Sequence, residues 1–282
     1  MSVDARSRAL IEAALAEDVG SGDVSTLWTV GAAQRGRARI VAKQPGVLAG
    51  LATARAVFAQ LEPALQVRMA LADGARVAPG DGVLAVEGPV RGILGGERVA
   101  LNFLQRLSGV ATLTRRYVDA VAGTGARILD TRKTTPGLRA LEKQAVRAGG
   151  GENHRFGLFD MVLLKENHLA AAGGIAAAVA AVRRQNAAGL RVEVETTSLA
   201  EVEEALAAGV DRILFDNMPP ARLREAVALV RARGERRPET EASGGVTLQT
   251  VRAIAETGVD FISVGALTHS VPALDLSLLL EP

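Results

Sequence analysis

Short apolar segments alternate with longer helical stretches from about residue 126 onward. Each apolar segment has the length of a strand, and turn residues separate it from the helix that follows. A junction of helix end, glycine cap and strand entry occurs twice, at residues 208–213 and 257–262. Alternation of this kind is typical of βαβ units and predicts a parallel sheet. The predicted strands are residues 127–130, 161–165, 192–195, 212–216, 240–243 and 261–265.

The chain before residue 105 has a different pattern. An amphipathic helix is predicted at residues 6–17 and a second helix at 53–60, among short alternating segments at 36–42, 46–50 and 82–89. Glycine, proline and Asp-Gly pairs mark tight turns between them. This pattern predicts an N-terminal α/β sandwich domain. A helical stretch at 91–121 follows it, and we place the domain boundary there, giving domains of residues 1–110 and 111–282.

Every predicted strand of the second domain ends in a polar residue or a glycine. In a closed α/β barrel the active site is built from the carboxyl ends of many strands. An open doubly wound sheet uses one crevice, to which fewer strands contribute. Six contributing strands favour an α/β barrel, complete or incomplete. The strand-end residues are Asp130, Lys165, Glu195, Asp216, Ser243 and Gly265.

The composition excludes several classes of site. The chain has no cysteine, so disulfides, thiolate nucleophiles and cysteine-ligated zinc are excluded. A net charge of +2, one tryptophan and one tyrosine give little support to nucleic-acid binding. No apolar run approaches the ~20 residues of a membrane span, and the first residues lack the apolar core of a signal peptide. We therefore expect a cytoplasmic protein.

Groups that bind anions are concentrated between residues 130 and 168. Three of the four lysines and two of the three histidines lie in this stretch. Guanidinium forks suit bidentate binding of carboxylate or phosphate. A solvated basic loop is the simpler interpretation, but Lys165 closes a strand that should be buried. The candidate cationic set is Arg132, Lys133, His154, Arg155 and Lys165.

Two glycine-containing turns follow the last two predicted strands. They are Ser243-Gly244-Gly245 and Val264-Gly265-Ala266. The phosphate site of α/β barrels commonly lies there, where backbone N–H groups and a helix N-terminus face the anion. Two ordinary strand-to-helix turns are the alternative.

Glu195 and Asp216 end neighbouring predicted strands. Such carboxylates can bind sugar hydroxyls, coordinate Mg²⁺ or stabilise a developing cation. Salt bridges to nearby arginines are the alternative, and spacing alone does not decide between them. His154 and His168 have no carboxylate or histidine partner at metal-ligand spacing, so we expect no zinc site.

Several motifs together carry a resemblance to a known family. They are the runs 130–137, 143–146, 149–155 and 164–168, with 17–23 and 97–109 nearer the N-terminus. The sequence closely resembles quinolinate phosphoribosyltransferase, also called nicotinate-nucleotide pyrophosphorylase (carboxylating), over nearly the whole chain. The resemblance implies a type II phosphoribosyltransferase fold, with an N-terminal α/β sandwich and an incomplete α/β barrel. It also implies a homodimer in which the sandwich of one subunit covers the barrel mouth of the other.

The resemblance further implies a reaction and the residues that perform it. Quinolinate and phosphoribosyl pyrophosphate would give nicotinate mononucleotide, pyrophosphate and CO₂ with Mg²⁺, in NAD biosynthesis. Lys133, Glu195 and Asp216 would be catalytic, and the two carboxylates would bind ribose hydroxyls directly or through Mg²⁺. Arg98 would reach the site from the partner subunit. The other implied substrate-binding residues are Thr131, Arg132, His154, Arg155 and Lys165 around the dicarboxylate, and Ser243, Gly244, Gly245, Val264, Gly265 and Ala266 with Lys133 around the phosphates.

Three alternatives remain open on the sequence. The first is a related type II phosphoribosyltransferase with another substrate, such as the molybdenum-transport-associated relatives. The second is an aldolase that uses Lys165 as a Schiff-base nucleophile. The third is a binding protein with a lipoyl-like first half, suggested by residues 80–84. An attachment lysine is absent for the third, because Lys43 is the only lysine before residue 130.

Overall fold

The computed structural model describes residues 3–281, which form two compact units. The first unit contains residues 3–115, 134–150 and 267–281. The second contains residues 116–133 and 151–266. Each unit is therefore assembled from segments that are distant along the chain. The domain boundary at residue 110 stays a prediction.

Twelve strands lie within residues 3–281. All three strands predicted for the first domain and all six predicted for the second are present. The predicted strand at 46–50 stops at Val47, because Gly50 takes a left-handed conformation (φ 94°) from which the next helix begins. The strands are β1 (Arg35–Ala42), β2 (Gly46–Val47), β3 (Gln66–Met69), β4 (Arg76–Val77), β5 (Gly82–Pro89), β6 (Arg127–Leu129), β7 (Val162–Leu164), β8 (Val192–Thr196), β9 (Arg212–Asp216), β10 (Glu239–Ser243), β11 (Phe261–Ser263) and β12 (Leu276–Glu281).

The helices predicted at 6–17, 53–60 and 91–121 are also present, the last as one continuous helix. In the described part of the chain, no helix combines the length and the apolar character needed to cross a bilayer. The α-helices are α1 (Ala5–Val19), α2 (Val24–Thr29), α3 (Leu51–Leu61), α4 (Val90–Ala120), α5 (Arg139–Ala148), α6 (Glu166–Ala172), α7 (Ile175–Gln185), α8 (Leu199–Ala208), α9 (Pro220–Arg231), α10 (Val251–Ala255) and α11 (Ala266–His269).

The first unit is built on an antiparallel sheet with the strand order β12-β1-β5-β3. Ala38 and Ile40 are buried while their neighbours Arg37 and Arg39 are exposed, which is the alternation that the sequence shows. Helices α1 and α3 pack against each other in this unit, with Phe58 fully buried. Apolar burial of this kind is the main stabilising contribution to the unit.

The second unit is built on a parallel sheet with the strand order β6-β11-β10-β9-β8-β7. Consecutive strands from β7 to β11 are neighbours, and β6 lies beyond β11. Leu129 of β6 forms a single parallel bridge to Glu152, and no ladder joins β6 to β7 within the described residues. The barrel is therefore incomplete, and the predicted fold class is confirmed.

Local sequence signals set where the helices of the second unit begin and end. Ser198 and Glu201 form a capping box at the start of α8, and Gly209 ends that helix at φ 68°. Pro220 occupies the first turn of α9, where its missing N–H is harmless. The carboxyl ends of β8, β9 and β10 lie side by side, because these strands are parallel and in register.

Candidate active site

The second unit contains a cavity of about 680 Å³ at the carboxyl ends of its parallel strands. Side chains alternate between the two faces of a strand, so every second residue of a strand reaches the same side. Leu163 and Lys165, Leu214 and Asp216 enter the cavity in this way. The cavity is lined by Thr131, Arg132, Lys133, His154, Arg155, Leu163, Lys165, Glu195, Leu214, Asp216, Asn217, Glu241, Ser243, Gly244, Gly245 and Ser263.

A few residues singled out from the sequence lie elsewhere. Val264, Gly265 and Ala266 are not in the lining but follow directly after Ser263, which is. Arg98 is exposed on α4, in the first unit. Lys143 is buried on α5, also in the first unit, and is not among the residues that line the cavity. The roles predicted for the lining residues and for Arg98 stay predictions.

Two arginines of the cavity influence each other electrostatically. Burial and the neighbouring positive charge of Arg132 lower the pKa of Arg155. The Arg155 guanidinium donates a hydrogen bond to the carbonyl oxygen of Met161 (3.2 Å), which limits where it can point. Arg132 itself is exposed. Like charges held together repel, and an anion between them relieves that repulsion. The pair is therefore suited to hold an anionic ligand.

Asp130 fixes the segment that carries Arg155. Its carboxylate is fully buried and accepts a hydrogen bond from the Asn153 side chain (2.7 Å) and another from the backbone N–H of His154 (2.8 Å). Asp130, which follows β6, therefore holds the backbone at His154 and does not line the cavity.

Lys165 and Glu195 form an ion pair across neighbouring strands. Lys165 Nζ lies 2.7 Å from Glu195 Oε2. The backbone N–H of Lys165 donates to His168 Nδ1 (3.0 Å), so His168 caps α6. Salt bridging of Glu195 was one alternative to a functional role, but its partner is this lysine of the same cavity. A charged ligand in the cavity could compete with Glu195 for Lys165, or with Lys165 for Glu195.

Asn217 is a cavity residue that sequence analysis missed. It follows Asp216, has a positive φ of 53°, and donates a side-chain hydrogen bond to Asp216 Oδ2 (2.8 Å). A non-glycine residue at positive φ is uncommon and often marks a functional turn. Its side chain also explains why residue 244 is a glycine, since a Cβ at Gly244 would lie 2.2 Å from Asn217 Oδ1. The Asn217-Gly244 contact therefore orients Asp216 against the glycine turn.

The glycine turn after β10 differs in one respect from the prediction. Gly244 and Gly245 adopt φ values of 93° and 60°, as an anion-binding backbone turn requires. The next helix, α10, begins only at Val251 and has five residues. A helix N-terminus was expected directly after the glycines, and its dipole contribution is therefore small here. Backbone N–H groups, not a helix end, are what this turn offers a phosphate.

His154 contacts two buried glutamates that the sequence did not reveal. Its Nε2 lies 3.1 Å from Glu193 and 3.5 Å from Glu241, and both carboxylates are fully buried. The three side chains could together ligate a metal ion. The statement that His154 has no carboxylate partner was therefore wrong. The partners come from β8 and β10, which only the sheet order brings near residue 154.

The charge of this cluster is balanced by Arg212. Its Nη1 lies 3.0 Å from Glu241, and its Nη2 lies 2.9 Å from Glu239. Burial by itself would lower the pKa of Arg212, but Glu241 and Glu193 raise it. Burial would also raise the pKa of Glu241, but His154 and Arg212 outweigh it and lower that pKa. The buried acid groups are thus neutralised within the protein.

Burial and three contacts with opposing effects set the protonation of His154. Burial lowers its pKa, but Glu193 and Glu241 raise it to about 9. In contrast, the backbone N–H of Arg155 donates to Nδ1 (2.7 Å), which needs the lone pair of an unprotonated nitrogen. A charge-assisted pair is roughly twice as strong as a neutral hydrogen bond. We therefore expect the imidazolium form at neutral pH, with the Arg155 contact weakened.

We predict that His154 stabilises the fold less as the pH rises. A raised pKa adds stability that is complete below the unfolded value and is lost as pH rises through about 9. At about 1.4 kcal/mol per pKa unit, the loss is on the order of 3 kcal/mol. The measurement is the unfolding free energy of wild type minus that of His154→Gln, near pH 6 and near pH 10. The same difference at both pH values would contradict the prediction.

Comparison with known proteins places these features in a family. Residues 110–279 match the family described as quinolinate phosphoribosyl transferase, C-terminal domain, and residues 23–108 match its N-terminal domain. A Nicotiana glauca protein named quinolinate phosphoribosyltransferase (decarboxylating) 1 is 45% identical, covering 97% of this chain and 82% of that protein. A Synechocystis protein named probable nicotinate-nucleotide pyrophosphorylase (carboxylating) is 48% identical, covering 94% and 89%.

Solved structures agree with the sequence matches. NadC from Streptococcus pyogenes superposes with a TM-score of 0.93 at 42% identity, covering 100% of both chains. The nicotinate-nucleotide pyrophosphorylase from Francisella tularensis superposes with a TM-score of 0.92 at 38% identity, covering 98% of this chain and 96% of that one. The agreement extends over both units of the fold. The chain therefore belongs to the quinolinate phosphoribosyltransferase family.

Proposed function

We propose that this chain transfers a phosphoribosyl group from phosphoribosyl pyrophosphate to quinolinate and removes one carboxylate. The products would be nicotinate mononucleotide, pyrophosphate and CO₂, which makes the chain a decarboxylating pentosyltransferase of NAD biosynthesis. The observation that carries the proposal is one cavity lined by two arginines, two lysines, three carboxylates and a glycine turn. The names of relatives at 45–48% identity support the same reaction.

The cationic side of the cavity is suited to the dicarboxylate. Arg132 and Arg155 can each form paired hydrogen bonds to a carboxylate, and Lys165 adds a compact charge. His154 would contribute positive charge at the back of the same side. The presence of two arginines, Arg132 and Arg155, favours the dicarboxylate quinolinate over the monocarboxylate nicotinate. Thr131, next to Arg132 in the sequence, also lines the cavity.

A second group of cavity residues, which meets the first at the contact between Lys165 and Glu195, is suited to the sugar phosphate. Glu195 and Asp216 present carboxylate oxygens that can accept hydrogen bonds from ribose hydroxyls. Lys133 and the turn Ser243–Gly245 offer donors to phosphate groups, and we assign the same role to the segment from Val264 to Ala266, which follows the lining residue Ser263. Two carboxylates beside a phosphate site also fit Mg²⁺, which commonly binds one or two carboxylates together with substrate phosphates. When bound, Mg²⁺ would neutralise charge on the departing pyrophosphate.

The chemistry assigned to these residues balances as follows. The ring nitrogen of quinolinate forms a bond to C1 of the ribose, and the bond from C1 to pyrophosphate breaks. Positive charge develops at C1, where the anionic Glu195 and Asp216 stabilise it. The ring nitrogen is then cationic, so its charge stabilises the electron pair that stays on the adjacent ring carbon when the carboxylate departs as CO₂. A proton from solvent takes the place of CO₂ on the ring.

We expect Glu195→Gln to lower kcat more than it changes either KM. Gln keeps the size of the side chain but removes the charge that stabilises the transition state, and such losses are commonly ~10²-fold. Steady-state kinetics with both substrates varied would measure the effect. The matched control is Glu225→Gln, which changes an exposed glutamate on α9. An unchanged kcat in the Glu195 variant would contradict the assigned role.

Product analysis tests the proposed function directly. Purified protein is incubated with phosphoribosyl pyrophosphate, Mg²⁺ and either quinolinate or nicotinate. We expect CO₂ and nicotinate mononucleotide from quinolinate, and no comparable turnover of nicotinate. Turnover of nicotinate alone would favour a related phosphoribosyltransferase. Borohydride trapping of a substrate on Lys165 would favour an aldolase.

The assembly and location remain proposals as well. We propose a cytoplasmic homodimer in which Arg98 of one subunit completes the site of the other. The support is the family resemblance at residues 97–109 and the exposure of Arg98. An arginine side chain free at the surface can meet a partner subunit's anionic ligand without rearrangement.

A further inference from the structure

The segment from Asn153 to Arg155 is tied to the sheet at two separate points. Its backbone is held by Asp130, which accepts from the Asn153 side chain and from the His154 backbone N–H. Its one inward side chain, the ring of His154, is held 3.1 Å from Glu193 and 3.5 Å from Glu241. The residue before Arg155 is thus fixed at both its backbone and its ring.

The two glutamates are costly for the fold. Both are fully buried, and burial together with the charge of Glu241 raises the pKa of Glu193. Apart from the ion pair with His154, the Glu193 carboxylate has no hydrogen-bond partner among the described residues. Apolar side chains of similar volume at such positions are often neutral or stabilising. A purely structural need for Glu193 is therefore weak.

Arg212 makes a metal ion an inferior explanation. A divalent ion between His154, Glu193 and Glu241 would face the Arg212 guanidinium, which already lies 3.0 Å from Glu241. That guanidinium supplies the positive charge that the buried carboxylates require. The cluster is better explained by what its histidine does for the neighbouring residue.

We infer that Glu193 and Glu241 are positioning residues, which hold the His154 ring inside the sheet and thereby fix where Arg155 places its guanidinium in the cavity. Glu241 also lines the cavity, but neither glutamate has to touch substrate for this role. The inference rests on the proposed function, because Arg155 is taken to bind the dicarboxylate. Loss of the anchor should weaken dicarboxylate binding and leave the sugar-phosphate side intact.

The test replaces Glu193 by leucine, which keeps the volume and removes the acceptor. Glu193→Gln is made as well, in case the leucine variant fails to fold. The matched control is Glu239→Leu, which changes a glutamate that also contacts Arg212 but not His154. The fourth variant is His154→Gln, alone and combined with Glu193→Leu. Each protein is characterised by its thermal midpoint and by KM for quinolinate and for phosphoribosyl pyrophosphate.

We expect Glu193→Leu to raise KM for quinolinate roughly tenfold while KM for phosphoribosyl pyrophosphate stays within about twofold. The double variant should be no worse than His154→Gln alone, because both changes remove one interaction. Glu239→Leu should leave both KM values near those of wild type. Equal rises in both KM values, or additive losses in the double variant, would overturn the inference. If wild type is active and Glu193→Leu has an unchanged KM for quinolinate, the inference is overturned and the proposed function stands. If wild type is inactive, both are overturned.

Discussion

Replacing Arg132 with alanine is expected to lower kcat/KM for quinolinate by about 10²–10³-fold without unfolding the protein. Removing one partner of a desolvated, hydrogen-bonded charge pair typically costs ~2–5 kcal/mol, much of it because the remaining charge is left unpaired. The Arg132 side chain is exposed in the free protein, so its loss removes little packing. The unfolding free energy should therefore change by no more than ~0.5 kcal/mol.

Two controls make the result for Arg132 specific. Arg222→Ala removes an exposed arginine on α9 and should leave kcat/KM unchanged. Arg132→Lys keeps the positive charge but loses the two-pronged geometry, and we expect it to recover only part of the activity. Near-normal kcat/KM in Arg132→Ala would remove Arg132 from the dicarboxylate site.

Mixing two inactive variants is expected to restore activity if Arg98 acts across a dimer. Arg98→Ala keeps an intact cavity and lacks the donated arginine, whereas Arg132→Ala lacks part of its cavity and can still donate Arg98. In a mixed dimer one of the two sites then has both arginines. Random exchange makes half of the dimers mixed, so about a quarter of the wild-type activity should return.

The recovery must depend on subunit exchange to count as evidence. The two variants are mixed after partial denaturation and refolding, and also without it, and activity is followed against the ratio of the two proteins. We expect a maximum near equal amounts. If Arg98 acts within its own subunit, no ratio will restore turnover. A monomeric mass under assay conditions would also exclude the cross-subunit role.

The sequence predicts most elements of the second unit because each carries local signals. The strands β8 and β9 are bounded by turn residues, and Gly209 ends the intervening helix as its position suggests. The strand-end side chains Lys165, Glu195 and Asp216 then reach one cavity because parallel strands share an edge. Side chains alternate between the two faces of a strand. Had this alternation been applied to the whole of each strand, it would also have placed Glu193 and Glu241 on the cavity face of the sheet.

Other features depend on contacts that no local pattern encodes. The pairing of His154 with Glu193 and Glu241 requires the order of β8, β9 and β10. The positive φ of Asn217 is set by its packing on Gly244, since asparagine does not require that conformation. The strand β12 was not predicted, because no local signal in residues 276–281 shows that they pair with β1. Its partner β1 lies more than two hundred residues earlier.

The pairing of β12 with β1 has a consequence for how the protein is made. Glu281 pairs with Arg37, so one edge of β1 has no partner until residues more than two hundred positions later have left the ribosome. An unpaired strand edge can pair with other chains while it waits. Contacts of such large sequence separation also slow folding. We therefore expect the N-terminal sheet to be the last part to mature during synthesis, and truncation just before residue 276 to favour aggregation.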